Sequence, residues 1–402
     1  MMLTAKRLSL LKDILRQPAA PFREQHVARC VSAHLTRAGV AHFFDPVGNL
    51  VVGVATAAAY RRLLSRRTKG EDKNEPIRIF IAHMDHPGFH GVRWLASNRL
   101  AVKWYGGSPL KHLAGARLWL ADDDVEVTNS MVQARLVKPK LLKEGWAIDT
   151  AEVQLQTSDG TLVAERYAGQ QAKKLFGSFA FRSHCWVSGK RLYTRAADDL
   201  VGVFAIVSTA IDLHRRHAGA PFIGLLTRAE EVGFVGAVQH FELGWLGTAK
   251  RPLLCVSLEA SRTLPGARVG KGPVVRLGDR RTPFESGALQ VLSEIAEKIL
   301  PKAHQRRLMD GGACEATAAT AWGLPTVGIT LPLGNYHNQG FEGGMDCPQV
   351  NGPAPEFVHL DDINGELKLC RALMSSDLPW SDPWQKVRAR LMENARDYNN
   401  LL

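Results

Sequence analysis

Six cysteines are scattered through 402 residues, at Cys30, Cys185, Cys255, Cys314, Cys347 and Cys370, with no CxxC pair among them. That spacing excludes a disulfide-stapled scaffold and reads as buried, reduced thiols in a reducing compartment. No run of about 18 apolar residues is present to span a bilayer. The amino-terminal segment MMLTAKRLSLLKDILRQP lacks the apolar core and small-residue cleavage site of a secretory signal. A cytoplasmic protein is therefore expected. Nucleic-acid-binding motifs are also missing, although the net charge is +12. The basic excess lies in clusters, YRRLLSRRTKG (Tyr60 to Gly70), Arg276 to Arg281 and the lysines around Lys138 to Lys143. A solvated basic surface accounts for it, and a non-catalytic, nucleic-acid-associated protein is the alternative from another class.

What the chain has is core-forming material: 45% of its residues are hydrophobic, enough for a large core and two or three domains. Leu8, Leu11 and Leu15 recur at helical spacing, and a second amphipathic helix is expected over Phe22 to Ala38, with Gly39 as its stop. Short strands follow at Asn49 to Val54 and Ile77 to Ala82, separated by a polar, basic loop, Ala57 to Pro76, expected to be mobile. From Asp198 a helical pattern runs to His217. Strands are expected at Phe222 to Leu226, Leu253 to Leu258 and Thr326 to Leu331, and helices at Pro283 to Leu300 and Glu356 to Ser375. Alternating strands and helices predict an α/β fold with a doubly wound, mostly parallel sheet, helices on both faces and ligands at the carboxyl ends of the strands.

Between Gly91 and Gly189 the texture changes to short, alternating, β-rich segments without long helical patterns, and Asp159-Gly160 is a hairpin signal. A small β-barrel domain inserted at 91–189 is predicted, dividing the α/β domain into 1–90 and 190–402. Its Trp94, Trp104, Tyr105 and Trp119 are expected to leave an exposed apolar patch, of the kind that marks interfaces, so contacts between copies of the chain are assigned to this insert.

Five metal-type side chains stand at the ends of apolar runs or beside glycine: His83 in IAHMDHPGF, Asp198 in RAADDLVGV, Glu231 in TRAEEVGF, Glu259 in VSLEAS and His337 in GNYHNQG. Three carboxylates and two neutral imidazoles carry a charge of −3 against +4 for two divalent ions. One bridging hydroxide would bring such a cluster to neutrality, and that hydroxide is the nucleophile of a two-metal hydrolase.

With these residues stand HMDxxGF (His83 to Phe89), ADDLVGV (Ala197 to Val203), EEVGFVGA (Glu230 to Ala237), GKGPV (Gly270 to Val274), a GG segment before GLPT (Gly311 to Thr326) and YHN (Tyr336 to Asn338). Across almost its whole length the chain resembles the dizinc aminopeptidases that include the glutamyl, deblocking and tetrahedral enzymes. In that family the β-domain lies between the first and second ligands, and here His83 to Asp198 spans 115 positions against 78 from Glu259 to His337, a gap expected to hold one helix, a strand and loops. The resemblance implies two divalent ions per chain, zinc first and cobalt or manganese as substitutes. It puts His83 and Glu259 on one ion, Glu231 and His337 on the other, and Asp198 between them. Asp85 would fix the His83 tautomer through a hydrogen bond, and Glu230 would be the general base. A cis peptide between Asp198 and Asp199 and a homo-oligomer built from dimers, up to a dodecamer, are implied as well.

Two positions depart from that family. The fourth ligand, usually Asp, is Glu259, and the GGTDAG-like segment reads Gly311-Gly312-Ala313-Cys314-Glu315-Ala316. The expected activity is hydrolysis of N-terminal residues from peptides. Glu259 keeps a second reading open, an amidohydrolase of N-acyl amino acids or a carboxypeptidase.

Overall fold

A computed structural model describes residues 3–67, 74–124, 132–157, 171–216, 219, 221–340, 343–347 and 351–402. In chain order the elements are α1 (Ala5–Leu15), α2 (Gln25–Arg37), β1 (His42–Phe44), β2 (Leu50–Val52), α3 (Ala57–Ser65), β3 (Ile77–His83), β4 (Gly88–Ala96), β5 (Arg99–Tyr105), β6 (Arg117–Ala121), β7 (Val132–Leu141), β8 (Ile148–Thr157), β9 (Phe176–Phe179), β10 (Cys185–Ser188) and β11 (Arg191–Thr194). They continue with α4 (Leu200–Arg215), β12 (Phe222–Thr227), α5 (Val235–Glu242), β13 (Leu253–Arg262), β14 (Val274–Asp279), α6 (Ser286–Ile299), β15 (Gln305–Met309), α7 (Glu315–Ala321), β16 (Thr326–Leu333), β17 (Glu356–His359), α8 (Leu360–Ala372) and α9 (Gln385–Asp397).

Eight strands form the main sheet in the order β1-β2-β12-β3-β13-β16-β14-β15. Its centre is parallel: β12 and β13 flank β3, and β13 pairs with β16. The flanks are mixed, because β2 and β14 run antiparallel to their inner neighbours. Strands β3, β12 and β16 are buried along their whole length, which is why they read as continuous apolar runs rather than alternating ones. On one side α1, α2, α4, α6 and α8 supply Leu11, Val31, Phe204, Leu292 and Leu367 to the main core. On the other, α3, α5 and α7 contribute Tyr60, Ala237 and Ala318 to a second cluster. The parallel centre aligns four strand carboxyl ends, and the site assembles there.

Strands β4-β5-β8-β7-β6-β9 close into a barrel between β3 and α4. All six lie within Gly88–Phe179, whereas β10, inside the 91–189 span assigned from sequence, pairs with β11 and through it with β17 of the α/β body. We accordingly propose 88–179 as the extent of the insert. Two of the four aromatics expected on an exposed patch are buried, whereas Trp94 and Tyr105 are half-buried. Trp104 and Trp119 are each 3% exposed: Trp104 fills the barrel beside Phe89 and Phe179, while Trp119 packs edge-on to Phe176 and under the Arg195 guanidinium. A closed barrel gives alternate residues an interior, and the outer face of β6 and β9 packs on Ala20 of the body. The Asp159-Gly160 signal lies outside the described residues.

Three further expectations change. The start of the Ala57 to Pro76 loop is helix α3, because the Thr56 hydroxyl accepts the Ala59 amide at 3.1 Å and Tyr60 and Leu64, one turn apart, are buried. The helix expected from Glu356 begins at Leu360. Residues 356–359 instead pair with β11, and the His359 ring accepts the Asp361 amide as the helix cap. The span from Glu259 to His337 holds α6, α7 and strands β14, β15 and β16, more than the single helix and strand expected.

Helix α8 carries a carboxyl with an unusual environment. Glu366 is fully buried and neither of its oxygens has a hydrogen-bond partner among the described residues. Burial alone raises its pKa well above the ordinary 4.5. The native carboxyl therefore stays protonated where the unfolded one ionises, so stability is lost as pH rises above the unfolded value, at about 1.4 kcal/mol per pH unit up to the folded pKa. Glu366→Gln removes that penalty. Its melting temperature should match the parent near pH 4.5 and exceed it increasingly toward pH 8, whereas a gap independent of pH would show that Glu366 does not titrate on folding.

Candidate metal centre

His83 is the last residue of β3, and Glu259 lies on β13. Glu230 and Glu231 occupy a tight turn after β12, entered through Ala229 at φ 51°. His337 follows β16 in a turn where Asn335, His337 and Asn338 all have φ between 52° and 58°. Such backbone is strained for side-chain-bearing residues and persists where the surroundings over-determine it. Asp198 directly precedes α4, whose cap is Asp199. The Asp198–Asp199 peptide is cis, as the resemblance implies.

These five residues converge. The two Asp198 oxygens face two imidazoles, with Oδ1 at 3.3 Å from His83 Nε2 and Oδ2 at 3.7 Å from His337 Nε2. Glu259 Oε1 lies 3.9 Å from His83 Nε2, and Glu231 Oε2 lies 3.1 Å from His337 Nε2. His83, Asp198 and Glu259 form one triad of ligand atoms within 4.8 Å of one another, and Asp198, Glu231 and His337 form a second. Glu230 Oε2 lies 3.8 Å from His83 Nε2, and His83, Glu230 and Glu231 form a third such group.

The donor set fits a pair of cations. His83 Nε2, Asp198 Oδ1, Glu231 Oε1, Glu259 Oε2 and His337 Nε2 are all buried with no hydrogen-bond partner among the described residues. One such atom costs about 1–3 kcal/mol, and buried polar groups in native proteins are otherwise almost always satisfied. Electrostatics agree. Burial, then the neighbouring carboxylates, lifts Glu230 and Glu259 well above the usual carboxylate range against the pull of His83. Burial opposes a charge on His83, but Glu230, Asp198 and Asp85 overcome it and raise its pKa. Protons collect where cations would stabilise the ionised carboxylates.

The positioning residues were less legible. His83 Nδ1 lies 3.2 Å from the Asp85 main-chain carbonyl and 3.4 Å from its carboxylate, and that carboxylate accepts the Glu230 amide at 2.9 Å and the Glu231 amide at 3.2 Å. It thus holds the turn that presents both glutamates as well as the ring. Glu356, not singled out from sequence, accepts the Ala197 amide at 2.6 Å and the His337 amide at 2.9 Å, tying the loops of Asp198 and His337 together. His86 joins the Asp198 carbonyl to Asn338 at 3.0 and 3.3 Å. The barrel contributes one wall: a Cβ on Gly107 would stand 2.1 Å from His337 Nδ1, so only glycine fits there. The YGGSP motif was the available signal, since paired glycines mark close backbone approach.

Beside Glu259 a recess is lined by Arg262, Arg276, Gly311, Gly312 and Tyr336. Arg276 is 2% exposed, its Nη1 reaches Thr330 Oγ1 at 3.3 Å, and its Nε has no hydrogen-bond partner among the described residues. The Tyr336 ring stacks on the His337 ring at 3.7 Å between centroids.

A family model for the M42 glutamyl aminopeptidases matches residues 65–341. No curated protein sequence matches the chain. Among solved structures, a TET aminopeptidase from a marine sediment archaeon of the Thaumarchaeota is 18% identical, with a TM-score of 0.70 over 93% of this chain and 98% of that one. The Pyrococcus horikoshii TET1 peptidase, described as assembling into a tetrahedron or a large octahedral shell, is 20% identical, with a TM-score of 0.67 over 92% and 99% of the two chains. An M18-family aminopeptidase from Thermotoga maritima is 12% identical, with a TM-score of 0.64 over 92% and 96%. At these identities the structural likeness establishes the fold.

Proposed function

Because the chain belongs to the M42 glutamyl aminopeptidase family and is a peptide hydrolase, we propose that it removes N-terminal residues from peptides with two divalent cations, zinc first and cobalt or manganese as substitutes. The observation that carries this reading is the set of five buried, unpartnered ligand atoms around one space. His83 and Glu259 would hold one ion, Glu231 and His337 the other, and the two Asp198 oxygens would serve both. Nitrogen and carboxylate donors in this mixture suit borderline divalent ions. When bound, the ions acidify a water and polarise the scissile carbonyl.

The chain's own groups do the rest. Glu230 takes the proton of the attacking water and delivers it to the leaving amine. Its carboxyl is buried and stands 3.8 Å from His83 Nε2. Asp85 holds the turn that carries Glu230 and Glu231 through their amides, and Glu356 fixes the Asp198 and His337 loops. Peptides are the partners of this site. For the assembly we propose a homo-oligomer built from dimers, in line with the shells described for the P. horikoshii relative.

One observation favours a second reading. The buried Arg276 guanidinium next to Glu259 would donate hydrogen bonds to a substrate carboxylate, as an enzyme of N-acyl amino acids or peptide C-termini requires. Turnover of an aminoacyl, N-acyl and C-terminal substrate panel separates the two. The first reading predicts cleavage of substrates with a free amino terminus and none of their N-acetylated forms; the reverse pattern would establish the second.

A further inference from the structure

Helix α9 lies on the surface of the body. None of its residues is buried, and its ties to the rest of the chain begin at its first turn, where Lys386 bonds Glu294 of α6 at 2.6 Å. Its sequence is nevertheless two-faced. Trp384, Val387, Leu391 and Tyr398 recur at intervals of three, four and seven and so share one face. Trp384 is 40% exposed, Leu391 56% and Tyr398 64%. Asn394 occupies the remaining position of this stripe, the kind of polar residue that sets register in a helix pair.

We infer that α9 pairs antiparallel with α9 of a second copy of the chain, an isologous contact within the homo-oligomer proposed above and resting on that reading. The charges argue for self-pairing. Along one edge of the stripe stand Arg390 and, one heptad later, Asp397. Two such helices laid antiparallel about their middle bring Arg390 of each against the Asp397 position of the other, twice by symmetry. The same register lays Val387 on the Tyr398 position and Leu391 on the Asn394 position. A helix of 13 residues is about 20 Å long and too short to associate alone, so the contact joins copies within a larger assembly. A membrane surface would also take an amphipathic helix, but there basic residues would be expected on both edges of the apolar face, and Asp397 stands on one of them.

Light scattering on the full chain and on Leu391→Glu, Arg390→Asp and Asp397→Arg tests the pairing. Each substitution should lower the particle mass about twofold or more, because it puts charge into the stripe or like charges across the edge. Mixing the Arg390→Asp and Asp397→Arg chains should restore the parental mass, since opposite charges then meet at both contacts. A parental oligomer whose mass none of these changes alters would overturn the pairing and leave the oligomer standing. A parental monomer would overturn both, and its peptidase activity would still report on the active site separately. Binding of the parent, but not of Leu391→Glu, to phosphatidylserine vesicles with no change in mass would assign α9 to a membrane and overturn the pairing as well.

Discussion

Glu230→Gln retains its full complement of metal and loses about two to four orders of magnitude in kcat, the scale of a positioned general base. The neighbouring Glu231→Gln behaves differently: it binds about one ion fewer, because it removes a charged donor facing His337 at 3.1 Å. The contrast rests on the turn after β12, where adjacent side chains point to different tasks, Glu230 toward His83 and Glu231 toward His337. Metal analysis beside steady-state kinetics on both variants reads it directly. Equal losses of metal and of rate in the two would show that the glutamates do not divide the work.

Asp85→Ala is expected to cost about 10- to 100-fold in metal affinity or activity, as removal of a residue behind a metal ligand does. The carboxylate accepts the Glu230 and Glu231 amides and stands beside His83 Nδ1. Its loss frees the turn and leaves two amides unsatisfied, at about 1–3 kcal/mol each, while the His83 ring keeps the main-chain carbonyl of residue 85. A lower melting temperature should accompany the kinetic change, and added metal should recover part of the rate. A variant with parental metal affinity and parental rate would exclude Asp85 from the site's support.

Much of this site is legible in the sequence. His83, Asp198, Glu231, Glu259 and His337 each end an apolar run or flank glycine; four of them lie on or just after the parallel strands β3, β12, β13 and β16, whose carboxyl ends meet, while Asp198 joins them from between β11 of the small sheet and α4. Support was harder to see. Glu356 acts by accepting backbone amides of residues about 160 and 19 positions away, and amides carry no sequence signal. Its segment also follows a helix-like apolar pattern, because a four-residue strand runs straight into α8. The barrel aromatics misled for a related reason. Alternation along a strand reports two faces but not which is covered, and Trp104 and Trp119 are covered on opposite faces, by the barrel interior and by the α/β body. Basic residues at Tyr60 to Gly70 suggested a loop because their charge masks Tyr60 and Leu64, the pair that buries α3.

The central claim is that five residues hold two cations. Metal analysis of the purified chain after reconstitution with zinc, beside the His83→Ala and His337→Ala variants, tests it most directly. The parent should bind about two ions, and each variant should retain about one, since the two imidazoles belong to different triads. A parent that hydrolyses peptides at full rate with fewer than one ion bound, or variants that bind as much metal as the parent, would contradict the account.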